Sequence, residues 1–176
     1  MTAGWQALPG EPSFGDAFGR SLATGDLDGD GRADLAIGVP NANGSSARRA
    51  GATAVVYGSA AILDTARAQQ FDGPSVENGL GGFAVSIVDL DGDGVEDLAV
   101  GVPGQMVDFV AHAGAVHIHR GVAGVGLTGA APIVVTEGIH KGWSDSGDAG
   151  TGSSWYEWRW TNDLMTGERL GTAIGG

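Results

Sequence analysis

Hydrophobic residues in this chain fall into short runs separated by glycine-rich polar stretches. Leu35-Ala36-Ile37-Gly38-Val39 and Leu98-Ala99-Val100-Gly101-Val102 are each closed by a proline, Pro40 and Pro103. Apolar runs of this length, too short for a typical helix and bounded by turn residues, predict buried strands. Ala52-Thr53-Ala54-Val55-Val56-Tyr57 and Ala115-Val116-His117-Ile118-His119 follow, each bracketed by glycines, and predict a further strand apiece. A weaker fourth strand is expected around residues 69–71. Ile62, Leu63 and Ala66 stand at helical spacing within residues 60–70, so that stretch reads as a turn of helix or, more simply, as a loop.

These elements recur. Asp26-Leu27-Asp28-Gly29-Asp30-Gly31 returns as Asp89-Leu90-Asp91-Gly92-Asp93-Gly94, and the offset of 63 also relates Gly38 to Gly101, Pro40 to Pro103, Gly51 to Gly114 and Gly58 to Gly121. Upstream, Phe18-Gly19 pairs best by residue type with Leu80-Gly81, an offset of 62. One extra residue before Asp89 is therefore expected, absorbed in a β-bulge. Four strands in about 60 residues, repeated at fixed period and rich in glycine, are the pattern of a β-propeller blade. A sandwich needs no such period, and the coils of a parallel β-helix are far shorter.

The expected fold is therefore all-β, built of four-stranded antiparallel propeller blades and incomplete. A first blade would occupy residues 1–74 and a second residues 75–164, the latter with a tryptophan-rich insertion at about 136–162. Residues 165–176 would open a third unit, with Leu170-Gly171 in the place of Phe18-Gly19. Because closed propellers need about four to eight blades, the chain reads as a fragment.

Composition narrows the partners. Nine basic against 21 acidic side chains give a formal net charge of -12, which repels nucleic acid and anionic membranes and favours cations. The chain has no cysteine and 33 glycines; disulfides and thiolate zinc sites are excluded, and glycine serves turns. No run of about 18 apolar residues occurs, and Met1-Thr2-Ala3-Gly4-Trp5 has neither a basic region nor an apolar stretch. Neither a membrane span nor a signal peptide is expected. A cytoplasmic protein and a piece of a longer secreted one both fit.

The two acidic segments carry the clearest chemistry. Asp26, Asp28, Asp30 and Asp34 occupy positions 1, 3, 5 and 9 of a loop with Gly31 at position 6, and Asp89, Asp91, Asp93 and Asp97 repeat the set. Alternating hard oxygen ligands, with the carbonyls of Arg32 and Val95 at position 7, can wrap a Ca²⁺ that takes about 6–8 oxygens. An EF-hand would need a bidentate Glu at position 12, where Ile37 and Val100 stand. Two structural calcium sites flanked by strands are expected. Carboxylates committed to a hard cation leave no evident nucleophile or base, so no enzymatic activity is expected.

Other constellations are weaker. His117 and His119, two apart on one predicted strand face with His112 nearby, make a candidate metal pair that lacks a third ligand. Trp143, Trp155, Tyr156, Trp158 and Trp160 crowd the insertion. Trp155, Trp158 and Trp160 are candidates to stack on a sugar or protein partner, or to cover a blade edge. No Gly-x-Ser-x-Gly elbow or phosphate loop is present.

Phe18-Gly19 followed by Gly25-Asp26-Leu27-Asp28-Gly29-Asp30-Gly31-Arg32-Ala33-Asp34-Leu35-Ala36-Ile37-Gly38-Val39-Pro40 resembles the FG-GAP repeat family. Such repeats build the propeller of integrin α chains and occur in a glycosylphosphatidylinositol-specific phospholipase D and in secreted bacterial proteins. The resemblance covers about residues 14–58 and 80–121, with 170–176 a partial third copy. It implies a seven-bladed extracellular propeller engaged in adhesion or ligand recognition. Its calcium ligands would fall on Asp26, Asp28, Asp30, the Arg32 carbonyl and Asp34, and on Asp89, Asp91, Asp93, the Val95 carbonyl and Asp97. Gly-Val-Pro replaces Gly-Ala-Pro in both units, and there are too few repeats for closure. Two further readings remain: an accessory propeller of a secreted hydrolase, and a carbohydrate-binding module using the tryptophans.

Overall fold

The computed structural model describes residues 13–44, 47–60, 62–74, 77–107 and 110–137. The expected third unit and Trp143, Trp155, Trp158 and Trp160 lie outside the described residues. Among the described residues the secondary structure is entirely β, in two four-stranded antiparallel sheets whose strands run in sequence order. The first sheet contains β1 (Ser21–Gly25), β2 (Asp34–Val39), β3 (Ala52–Ser59) and β4 (Ile62–Asp72). The second contains β5 (Ala84–Val88), β6 (Asp97–Val102), β7 (Ala115–His119) and β8 (Ile133–Val135). They are blades of an incomplete propeller and do not close into a ring.

Two expectations are corrected. The first concerns the register before the second acidic loop. Ser21 pairs with Gly38 and Ala84 with Gly101, so the strands entering both loops keep the offset of 63 with no bulge between β5 and β6. The turns before them match as well: Ala17, Gly19 and the bond from Arg20 N–H to the Ala17 carbonyl correspond to Leu80, Gly82 and the bond from Phe83 N–H to the Leu80 carbonyl. Ala17 (φ 60°) and Leu80 (φ 55°) share the left-handed conformation. Phe18-Gly19 thus corresponds to Gly81-Gly82, not to Leu80-Gly81, because the turn conformation sets the equivalence and the likeness of Leu to Phe does not.

The second correction is β4, neither helix nor loop but an 11-residue strand. Val55 pairs with Gln69 while Tyr57 pairs with Asp64, so residues 65–68 bulge from the ladder. The Asp64 carboxylate accepts the Ala66 N–H at 3.0 Å within that bulge. A bulge breaks the period-two pattern, which is why Ile62, Leu63 and Ala66 mimic helical spacing.

β3 is buried along nearly its whole length, so alternate residues serve two cores. Val55 and Tyr57 join Leu27, Ala36, Leu98, Val100, Val102 and Leu127 in the core between the blades, with Ala23, Phe71, Val85 and Ile87 at its margin. Ala54 and Val56 turn the other way, onto Ile37, Leu35, Leu63 and Ala68. Each of the fully buried Leu27, Leu98, Leu127 and Val55 contributes roughly 1.5–3 kcal/mol through apolar area removed from water.

A backbone seam supplements this core. Gly81 N–H donates to the Ala50 carbonyl at 2.8 Å, and Ser21 Oγ to the Gly82 carbonyl at 2.9 Å. The connection from β7 to β8 reaches back to the first blade. There the Leu127 N–H donates to the buried Tyr57 hydroxyl at 2.8 Å, and that hydroxyl donates to Gln69 Oε1 at 2.9 Å. Gln69 Nε2 closes the ring onto the Leu127 carbonyl at 3.1 Å. Gly126 lies against the Tyr57 ring, where a Cβ would overlap it, and its φ of +85° is itself in the left-handed region.

Candidate functional site

Each acidic segment is the connection between the first and second strands of its blade, β1 to β2 and β5 to β6. Asp26, at position 1, accepts backbone N–H groups on both carboxylate oxygens, from Asp30 at 3.0 Å and Gly31 at 2.8 Å. Asp89 repeats this with Gly92 at 2.7 Å and Gly94 at 3.0 Å. Asp28 and Asp91, at position 3, accept the N–H two residues on, as do Asp30 and Asp93 at position 5, from Arg32 and Val95. Short acidic side chains that bond their own backbone two residues ahead favour this coiled loop. Gly31 and Gly94 supply the sharp turn with φ of +82° and +88°.

The aspartates at position 9 hold each loop to its sheet. Asp34 Oδ2 accepts the Leu27 N–H at 2.8 Å and Oδ1 the Gly58 N–H at 2.7 Å, joining the loop's start to the end of β3. Asp97 does the same for Leu90 at 3.2 Å and Gly121 at 3.0 Å. Both are buried. Burial pushes the Asp34 carboxyl above the usual carboxylate range; its two backbone donors oppose the shift, and the nearby negative charges of Asp28 and Asp26 add to it.

Oxygens of Asp26, Asp28 and Asp34 converge within 4.8 Å of one another, as do those of Asp89, Asp91 and Asp97. These all-oxygen sets have the ligand chemistry of hard cations. Asp30 and Asp93 stand outside the two groups. Asp30 pairs with Arg32 at 2.7 Å, whose guanidinium holds the Asp30 carboxyl below its usual range. Arg120 contacts both Asp91 and Asp93. Arg32 and Val95 are at the predicted position 7, their N–H groups engaged with the aspartates at position 5.

The two groups differ in setting. The first is roofed by the second blade: Leu27 is fully buried, Asp28 is 3% exposed, and the Gly124 N–H donates to the Asp28 carbonyl at 2.6 Å. Their counterparts in the second loop are open, with Leu90 51% exposed, beside a cleft of about 520 Å³ lined by Asp93, Val95, Arg120 and Val122.

Three residues here were missed in the sequence. Arg67, lifted by the β4 bulge, lies over the Tyr57 ring at 4.3 Å from its centroid and pairs with Asp28 at 2.9 Å. Arg120 meets the second loop from the end of β7. Glu96, at position 8 of the second loop, accepts the backbone N–H of Asp26 in the first. A basic residue in an otherwise acidic chain and a carboxylate beyond the repeated pattern were the available signals, and neither states its partner.

The histidines behave differently. Among the described residues, the groups with metal-ligand convergence are the two aspartate sets, and neither includes His112, His117 or His119. His117 Nε2 is buried and has no hydrogen-bond partner, and His119 is tilted against Phe71 with ring centroids 4.7 Å apart. Both rings line a small space with Thr53, Phe71 and Asp72. Burial lowers both imidazoles, His119 to about 4, with the His117 charge adding to the shift.

The fold holds these rings neutral, while an unfolded histidine titrates near 6.5. Their contribution to stability is therefore complete above about pH 6.5 and is lost as pH falls towards 4. The melting temperature is expected to drop between pH 7 and pH 5, and His119→Phe to make the drop shallower. Calorimetry at stepped pH checks this, and parallel profiles for the two proteins would refute it.

Two sequence-related antiparallel blades, each with an acidic loop between its first two strands, define a segment of a β-propeller. The family model for the FG-GAP repeat matches residues 18–56 and 81–119, at the same offset of 63 that the strands keep. The chain carries two FG-GAP repeats. It is 39% identical over 99 residues to integrin alpha-PS5 of Drosophila melanogaster, covering 52% of this chain and 9% of that one. To integrin alpha pat-2 of Caenorhabditis briggsae it is 37% identical over 100 residues, covering 54% and 8%. To human phosphatidylinositol-glycan-specific phospholipase D it is 28% identical over 128 residues, covering 68% and 15%. The chain thus spans less than a sixth of the length of these relatives.

Proposed function

We propose that this chain is a non-catalytic part of an extracellular recognition propeller whose two acidic loops each bind one structural calcium ion. In this reading the blades occupy residues 1–74 and 75–164. The ligands are Asp26, Asp28, Asp30, the Arg32 carbonyl and Asp34 in one site, and Asp89, Asp91, Asp93, the Val95 carbonyl and Asp97 in the other. The observation that carries it is the convergence of three carboxylates in each loop, with two of the first set, Asp28 and Asp34, buried. At 4.8 Å, two like charges repel by roughly 3–4 kcal/mol at an effective dielectric of about 20. A divalent cation turns that repulsion into attraction. The protein or glycan ligand would bind the complete propeller, as the likeness to integrin α chains supports.

Titration of the chelator-treated chain with Ca²⁺ in a calorimeter tests the reading. Two bound ions per chain are expected, one after Asp28→Ala or Asp91→Ala, and none after both changes. Absence of binding heat and of any competition with a chromophoric chelator would exclude it. A second reading, an accessory propeller of a secreted hydrolase, is favoured by the phospholipase D match, which covers more of this chain than the two integrin matches do. A hydrolase domain in the same gene product would support it.

A further inference from the structure

Both backbone groups of Asp26 are held by one residue of the other loop. The Glu96 carboxylate accepts the Asp26 N–H, and the Glu96 N–H donates to the Asp26 carbonyl at 3.2 Å. Asp26 is position 1 of the first loop, and its two carboxylate oxygens are set by the N–H groups of Asp30 and Gly31. Fixing its main chain therefore fixes where that carboxylate points. Room for the contact is made by Gly25, at which a Cβ would overlap the Glu96 carboxylate and the Ile87 methyl.

Glu96 in turn belongs to the second loop. It stands between Val95 at position 7, whose N–H is held by Asp93, and Asp97 at position 9, which is 2% exposed and bonded to Leu90 and Gly121. Ordering the second loop around an ion orders the backbone on both sides of Glu96. The Glu96 oxygens are not among those converging in either aspartate group, so its role is to position Asp26. The corresponding residue of the first loop is Ala33, which has no carboxylate to offer.

We propose that Glu96 is a positioning residue that couples the two acidic loops, so that a cation in the open second loop strengthens binding in the roofed first loop and the reverse. The coupling rests on the calcium reading given above, and reciprocity follows because it is a free energy shared by the two sites. The first loop then reports on whether its neighbouring blade is loaded, through one side chain that crosses the blade junction.

Calcium association constants of the full chain test it, measured by calorimetry with chelator competition. Asp91→Ala leaves the first site alone and Asp28→Ala leaves the second alone. The two-ion constant of the parent chain is expected to exceed the product of the two single-site constants by about fivefold or more. In a Glu96→Ala background the same comparison should fall to within about twofold, with Glu96→Gln, which keeps the shape and one acceptor, between them. Should Glu96→Ala fail to melt cooperatively, the Gln background decides alone. A parent constant equal to the product, or an excess that survives both substitutions, overturns the coupling while leaving calcium binding intact. No binding at all overturns the calcium reading and the coupling together.

Discussion

Asp34→Ala is expected to destabilise the fold by roughly 2–6 kcal/mol even in excess chelator, a large part of a typical domain's roughly 5–15 kcal/mol. The reason is independent of any ion. Asp34 is 1% exposed and its two oxygens accept the N–H groups of Leu27 and Gly58. Alanine leaves both donors buried beside an apolar core that water does not reach, at roughly 1–3 kcal/mol each. Asp34→Asn retains one acceptor and removes a charge that burial already disfavours, so in chelator it should cost less than alanine.

Asp97→Ala provides the contrast. Its bonds to Leu90 and Gly121 are longer, 3.2 and 3.0 Å, and Leu90 is half exposed, so water can recover that donor. Its cost should be smaller than that of Asp34→Ala. Urea unfolding of the four proteins measures these differences, and an Asp34→Ala midpoint within error of the parent chain would contradict the assignment of Asp34 as the tie between loop and sheet.

Calcium is expected to raise the melting temperature of the chelator-treated chain by about 10–20 °C. Each site filled at about a hundred times its dissociation constant contributes about 2.7 kcal/mol. Two sites give about 5 kcal/mol, and a domain of this size shifts by about 2–4 °C per kcal/mol. Both aspartate groups bring three carboxylates together, so the ion-free fold carries repulsion, against which Arg67 pairs with Asp28 alone and Arg120 with Asp91 alone of the grouped carboxylates. The first site has the added support of the second blade, and Asp28→Ala should remove more of the calcium-dependent rise than Asp91→Ala. Coincident melting curves with and without calcium would exclude a structural role for the ion.

The loops were legible in the sequence because their chemistry is local. Spacing of 1, 3, 5 and 9 with glycine at 6 sets how the backbone turns, and residues 26–34 and 89–97 contain every group needed for that. It did not tell that positions 1, 3 and 9 converge while Asp30 and Asp93 at position 5 stand apart beside arginines. The buried strands were legible for a similar reason, since continuous apolar runs closed by proline have few other solutions. β4 was not, because a four-residue bulge disrupts the alternation that identifies an edge strand. The equivalence of Phe18-Gly19 with Gly81-Gly82 was not legible because it rests on backbone conformation: Ala17 and Leu80 are alike in φ and unlike as side chains.

The blade junction was invisible for a different reason. Tyr57 meets Leu127 across 70 residues of chain, and Glu96 meets Asp26 across another 70. Such pairs exist only once two sheets have packed, and nothing in either segment names its partner. The amino-acid sequence by itself determined the repeat, the all-β class and the position of each carboxylate in its loop, because these follow from neighbours along the chain. Only the tertiary structure decided that the first acidic loop is roofed and the second open, that Arg67 of β4 and Arg120 just after β7 meet them, and that Glu96 ties one to the other. Burial and long-range hydrogen bonding depend on which surfaces come together, and two loops with the same spacing acquire different environments when, among the described residues, the second blade packs against the first loop.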